Sequence, residues 1–282
     1  MTTVTFDGHG GLRLVADRRG RGAPVLLLHG GGQTRHAWSG TAAALAQAGF
    51  ESVSVDLRGH GDSGWAPDRD YRVGAFVGDL AAAIGQFDVP PIGIGASMGG
   101  LVLLHGAASL PPGSLRALVL VDIAPKMEPE GVSRIVGFMT AYPDGFATVE
   151  DAADAVAAYM PHRPRPQDLS GLRKNLRERE DGRWVWHWDP AMLGEKNMAG
   201  ERDARGLEDA ARALDLPTLL VRGTRSDLLS EDGVRHFQSL VPHSEFVDVS
   251  GAGHMIVGDR NDAFTSAILG FLGRFRPSTL LV

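Results

Sequence analysis

The chain has 282 residues, of which 43% are hydrophobic and 22% charged, with a formal net charge of −6. That length suits one large α/β domain carrying an insertion, or two ordinary domains, and buries a substantial core. The acidic balance lacks the basic excess of a phosphate-binding surface, so no nucleic-acid partner is expected, and the absence of cysteine excludes disulfides, thiolate metal sites and thiol catalysis.

In chain order, Thr2–Phe6 and Leu12–Asp17 read as an antiparallel hairpin turning at Asp7–Gly11. Short apolar runs follow at Val25–His29, Ser52–Leu57, Ile92–Ala96, Ala117–Ile123, Thr218–Arg222 and Glu245–Val249. Continuous apolar runs of this size suit strands covered on both faces of a parallel sheet. Between them, Trp38–Ala48, Val73–Phe87, Gly99–Ser109, Glu231–Val241 and Asp259–Phe275 have helical periodicity. The alternation predicts a doubly wound α/β sheet with right-handed crossovers. It breaks once, over 125–206, where Pro, Arg and Trp accumulate and no strand-sized apolar run occurs. This segment is expected to be a mostly helical insertion between core parts 1–124 and 207–282. Asp189–Pro190 inside it reads as a helix start. Residues 1–10 show no basic start followed by an apolar run, and no stretch nears the roughly 20 apolar residues of a membrane span. A cytoplasmic protein with no membrane partner is the expectation.

Gly95–Ala96–Ser97–Met98–Gly99 fits G-x-S-x-G between a strand and a helix. In that setting a tight turn exposes the serine hydroxyl and aims the Met98 N–H at the reaction centre. His29–Gly30–Gly31–Gly32 follows an earlier strand. Its backbone can approach a ligand closely, so Gly31 or Gly32 would join Met98 in an oxyanion hole. His29 itself reads as structural. A phosphate loop is disfavoured, because no GK[ST] follows and Arg35 stands where a third spaced glycine belongs.

A serine nucleophile needs an imidazole base, and the imidazole a carboxylate, in the chain order Ser, acid, His. His254 in Ser250–Ile256 (SGAGHMI) supplies the base, and Asp227 in Gly223–Ser230 (GTRSDLLS) is the expected acid. Asp122, at the end of the sixth strand, is its main rival. Asp248 and Asp259 are expected to face away or cap a helix, while Asp56 and His60 are expected to organise the loop Asp56–Trp65.

With LLLHGGG, DLRGHGDSGW, GASMGG, RGTRSDLLS and GAGHM in place, the chain resembles the α/β-hydrolase superfamily over nearly its whole length outside the insertion. The resemblance implies an eight-stranded, mostly parallel sheet with 125–206 as a helical lid, or cap, over Ser97. It is nearest to a group of small bacterial esterases, cofactor-free perhydrolases, epoxide hydrolases and haloalkane dehalogenases. The last two attack with aspartate, and serine at 97 removes both readings. Ala96 stands where many relatives carry histidine.

The expected activity is therefore carboxylic ester or lactone hydrolysis through an acyl-enzyme, with no metal or organic cofactor. Carbon–carbon bond hydrolysis and perhydrolysis are alternatives on the same triad, and a non-catalytic ligand-binding relative is a third. Trp184, Trp186, Trp188 and Tyr159 in the insertion suggest an apolar, aromatic-lined pocket for a small-molecule substrate of modest size. Arg163, Arg165, Arg173, Lys174, Arg177 and Arg179 are expected on the solvated surface of the insertion, where one of them could meet a substrate carboxylate.

Overall fold

The computed structural model describes all residues except 162–164, 166, 195, 198–203, 255–260 and 276–282. In chain order the strands are β1 (Thr2–Asp7), β2 (Arg13–Gly20), β3 (Ala23–Leu28), β4 (Phe50–Asp56), β5 (Ile92–Ala96), β6 (Ala117–Val121), β7 (Leu176–Glu178), β8 (Trp184–Trp186), β9 (Thr218–Gly223) and β10 (Glu245–Val249). All but β7 and β8 join one eight-stranded sheet, ordered β1-β2-β4-β3-β5-β6-β9-β10. The pairs β1/β2 and β2/β4 are antiparallel, and every later pair is parallel. The expected doubly wound, mostly parallel sheet is thus present.

Every residue of β3, β5, β6 and β9 is buried, which explains why these strands read as unbroken apolar runs rather than alternating ones. Successive side chains enter opposite layers. Val25 and Leu27 pack with Trp38, Leu45 and Phe264, while Leu26 and Leu28 pack with Phe76, Leu104 and Phe237. Helices α1 (Ser39–Gln47), α2 (Val73–Ile84) and α3 (Met98–Ser109) follow their strands at the expected places.

The insertion leaves the sheet after β6 and rejoins it at β9. It carries α4 (Pro129–Thr140), α5 (Val149–Tyr159), the single turn α6 (Ser170–Arg173) and α7 (Ala204–Arg212). Besides these helices the segment holds β7 and β8, which pair antiparallel as a small hairpin. Its signal was the alternation Trp184–Val185–Trp186, a period of two in a run too short and too polar to read as a core strand. Asp189 does cap the next turn, accepting from the Ala191 N–H at 2.9 Å, but that turn is a 3₁₀ turn over Pro190–Leu193. The chain then forms α8 (Glu231–Leu240) and α9 (Asn261–Leu272). Among the described residues no helix is long and apolar enough to cross a membrane.

Candidate active site

Ser97 joins β5 to α3 with φ 47° and ψ −116°, in the positive-φ region that side chains normally avoid. Such a conformation costs on the order of 1–3 kcal/mol and persists only where the surroundings enforce it. Here the enforcement is close packing. A Cβ on Gly95 would lie 2.4 Å from the Gly99 carbonyl oxygen, and one on Gly99 would lie 2.4 Å from that of Leu28. The strand and helix meet at a separation only glycine permits, and the serine is left at the carboxyl end of the sheet.

The carboxylate comes from the end of β6, next to the serine strand, and the imidazole from the loop after β10, the edge strand beyond β9. His254 Nδ1 lies 2.7 Å from Asp122 Oδ2. Asp122 follows β6, is fully buried, and also adopts a positive φ of 54°. Its other partners are the Gly223 N–H at 3.1 Å and the Ser226 hydroxyl at 2.5 Å. Ser226 in turn accepts from the N–H groups of Leu228 and Leu229, each at 3.1 Å. This serine was missed in the sequence, where it stands unmarked beside Asp227.

Asp227 does not meet the histidine, and the expectation that it would is corrected. Its half-exposed carboxylate accepts from Arg134 of α4 at 2.6 Å. Arg134 also donates to the Tyr159 carbonyl at 2.5 Å and lies over the Tyr159 ring. The cause is local: Ser226 turns inward to Asp122, and the next side chain then faces the insertion. Asp248 pairs with Arg222, and Asp259 lies outside the described residues.

The glycine loop after β3 is held by three buried histidines. The Gly30 carbonyl accepts from His29 Nδ1 at 2.8 Å, the Gly32 N–H donates to His60 Nε2 at 3.2 Å, and the Gly32 carbonyl accepts from His187 Nε2 at 3.3 Å. The second ring nitrogens are also occupied. His29 Nε2 accepts from the Leu57 N–H at 3.0 Å, His60 Nδ1 donates to the Arg58 carbonyl at 3.0 Å, and His187 Nδ1 accepts from the Gly61 N–H at 2.7 Å. Burial pushes all three imidazoles down to about 3, with their mutual repulsion adding to it, so each is neutral near pH 7. Beneath them, Asp56 accepts from the backbone N–H groups of Arg35 (2.6 Å) and Asp62 (2.9 Å) as well as from the Arg35 guanidinium. Asp56 and His60 thus bond within the Asp56–Trp65 loop, as expected, and also tie it to the stretch Gly32–Arg35.

With the Gly32 N–H committed to His60 and the Gly30 N–H to Gln33 at 3.0 Å, the pair of expected loop donors narrows to Gly31. Among the described residues neither the Gly31 N–H nor the Met98 N–H at the first turn of α3 has an acceptor. A Cβ at Gly30 would lie 3.4 Å from the Ser97 Cβ, so this loop passes directly over the serine.

Ser97, Met98, Gly31, Gly32 and His254 all open onto one cavity of about 1340 Å³ between the sheet and the insertion. Tyr159, Trp186 and Trp188 line it, with the two indoles stacked at 4.9 Å. Trp184 does not. It shares a strand face with Trp186 but stands two residues further out, about 7 Å along the strand, with the Arg173 guanidinium over its ring. Five methionines, Met98, Met127, Met139, Met160 and Met192, complete the apolar wall, which sequence periodicity gave no reason to group. Of the basic residues in the insertion, Arg165 and Lys174 reach the cavity, Arg165 being paired with Asp154 at 2.5 Å. Arg177 donates to the Gly61 carbonyl and Arg179 pairs with Asp181, while Arg163 lies outside the described residues.

Residues 23–260 match the model of the alpha/beta hydrolase fold family. Among curated proteins, the chain is 30% identical to the esterase Rv0045c of Mycobacterium tuberculosis, covering 90% of this chain and 85% of that one. It is 29% identical to the 3-hydroxybutyrate-oligomer hydrolase of Cupriavidus necator, covering 82% of each. Among solved structures, E-2-(acetamidomethylene)succinate hydrolase superposes with a TM-score of 0.82 at 24% identity, over 96% of this chain and 99% of that one, and so shares the fold. The sheet order, the serine elbow and the matched span agree, and the chain belongs to the α/β hydrolase family.

Proposed function

We propose that the protein is a serine esterase that cleaves apolar carboxylic esters through an acyl-enzyme on Ser97. The observation that carries this reading is the His254–Asp122 bond of 2.7 Å, on a histidine that opens onto the same cavity as the elbow serine. Asp122 holds the Nδ1–H, which leaves Nε2 as the base that takes the Ser97 proton. The serine oxygen attacks the ester carbonyl, and the resulting oxyanion is held by the N–H groups of Gly31 and Met98. His254 then protonates the departing alcohol. Water, deprotonated by the same imidazole, releases the acid and restores the serine. All of these groups belong to the chain, and no step is routed through a metal or an organic cofactor.

The insertion acts in this reading as a cap whose inner face selects the acyl group. A cavity of about 1340 Å³ exceeds the 300–1,000 Å³ or so of ordinary small-molecule sites. It favours acyl chains longer or bulkier than acetate over the modest substrates that composition alone suggests. Methionine walls adapt to chains of different shape, which supports a broad rather than a single acyl preference. An esterase and an oligoester hydrolase among the relatives agree with ester chemistry.

The test is hydrolysis of a p-nitrophenyl ester series from two to twelve carbons. Ser97→Ala is expected to keep its melting temperature, to lose ester turnover and to escape labelling by a fluorophosphonate, while wild type shows kcat/KM rising with chain length. Full turnover by folded Ser97→Ala would end the serine reading. A wild-type preference for acetate would end the acyl-chain reading alone. Product analysis with hydrogen peroxide present separates ester hydrolysis from peracid formation.

A further inference from the structure

We infer that His187, a residue of the insertion, is a positioning residue for the oxyanion donor, so that docking of the insertion sets the geometry of the reaction centre. The inference rests on the proposed serine mechanism and assigns a new role within it.

In a trans peptide the N–H points opposite to the C=O, so fixing one fixes the other. The Gly31 N–H belongs to the peptide unit whose oxygen is that of Gly30. That oxygen accepts from His29 Nδ1 at 2.8 Å and from the Gln33 N–H at 3.1 Å. The Gln33 N–H belongs in turn to the unit whose oxygen is that of Gly32, and this oxygen is the one His187 Nε2 meets at 3.3 Å. His187 therefore orients the peptide that closes the turn on the Gly31 unit. Its other nitrogen accepts from Gly61 at 2.7 Å, so the ring bridges the glycine loop and the Asp56–Trp65 loop.

The bridge is built rather than incidental. His187 is 1% exposed and both its nitrogens are used. The residues flanking it dock the same stretch. Trp188 packs where a Cβ on Gly32 would be 3.2 Å from its ring. The Asp189 N–H donates to the Gly59 carbonyl at 2.8 Å, and the Asp189 carboxylate accepts from the Tyr71 hydroxyl at 2.6 Å. His29 and His60 belong to the core, and His187 alone among these three reaches the loop from the insertion.

The two ring nitrogens can be separated by substitution. In His187→Gln the side-chain amide extends to the Nε2 position and keeps a donor for the Gly32 carbonyl. In His187→Asn the shorter amide reaches the Nδ1 position and keeps only the acceptor for Gly61. The experiment compares wild type, His187→Gln, His187→Asn and His187→Leu on a p-nitrophenyl ester and on its thiono analogue. Thiocarbonyl sulfur is a weak hydrogen-bond acceptor, so thiono turnover draws little on the oxyanion donors. Losing one such donor costs about 10²–10³ in turnover, and misaligning one is expected to cost about 10–100-fold. In His187→Asn and His187→Leu, kcat on the oxo ester should fall by that factor with KM within about threefold. Thiono turnover should change little, so the oxo-to-thiono ratio collapses, and His187→Gln should restore it. Should His187→Leu fail to fold, the Gln and Asn variants carry the comparison between them. An unchanged ratio in every variant, or an equal fall on both esters, overturns the role of His187. An inactive Ser97→Ala with an unchanged ratio removes this role alone, whereas an active Ser97→Ala removes the serine mechanism and the role with it.

Discussion

At the end of β6, Asp122 combines full burial, a positive φ and three hydrogen-bond partners for its side chain. Aspartate tolerates this backbone region better than most residues, and the conformation turns its carboxylate across the sheet to the histidine loop. Asp227, with its side chain 39% exposed, instead pairs with Arg134, an exposed contact worth about 0–1 kcal/mol. Asp122→Asn is therefore expected to lower kcat by about 10⁴ by disturbing the histidine tautomer. Asp227→Asn should leave kcat within about threefold. Steady-state kinetics on one ester decide between them, and the opposite ranking would restore Asp227 as the acid. Chain order alone admits either residue, because both follow strands and precede the histidine. The direction of each side chain depends on Ser226 filling the inward position, and a single serine carries no pattern that announces this.

At the scale of elements, the core strands and their helices were legible because burial on both faces leaves an unbroken apolar run, and crossovers demand helices between such runs. The β7–β8 hairpin was not, since three residues per strand leave too little pattern to separate from a tryptophan-rich loop. The loop after β4 gains its rigidity from an ion pair that crosses elements. Arg58 makes a bidentate contact to Asp79 of α2 at 2.6 and 2.8 Å, with both side chains nearly buried. Asp79→Asn removes the charge that compensates the buried guanidinium. The expected loss is about 3–5 kcal/mol of unfolding free energy, read as the shift of the urea midpoint at constant slope. A midpoint within experimental error of wild type would show that the pair contributes nothing. Since this loop supports His60 and His187, a stability loss there should be accompanied by lower turnover.

Across the whole molecule, the three loop-holding histidines make stability depend on pH. Each is pushed down to about 3 when folded, by burial first, against about 6.5 in an unfolded chain. Between these values the unfolded state binds protons that the folded rings refuse. Stability is therefore complete above about pH 6.5 and falls as pH drops towards 3, at up to about 1.4 kcal/mol per pH unit for each ring. Thermal melts at pH 7 and pH 5 should differ strongly, and His60→Gln should flatten the dependence by about one third. An identical melting temperature at both pH values would mean that the rings are not held neutral. The family and sheet could be read from motif order, whereas the shared burial of His29, His60 and His187 joins positions far apart in sequence and emerges only on folding.

The cavity wall also determines how the protein meets oxidants. The chain holds no cysteine, so its sulfur is entirely thioether, and among the described residues five methionines line the cavity beside Ser97. Oxidation to sulfoxide turns a flexible apolar side chain into a polar one. Peroxide that enters this cavity would therefore wet the apolar surface proposed to hold the acyl chain while the serine, histidine and aspartate stay chemically intact. The damage would fall on substrate affinity before catalysis, and enzymatic sulfoxide reduction could reverse it.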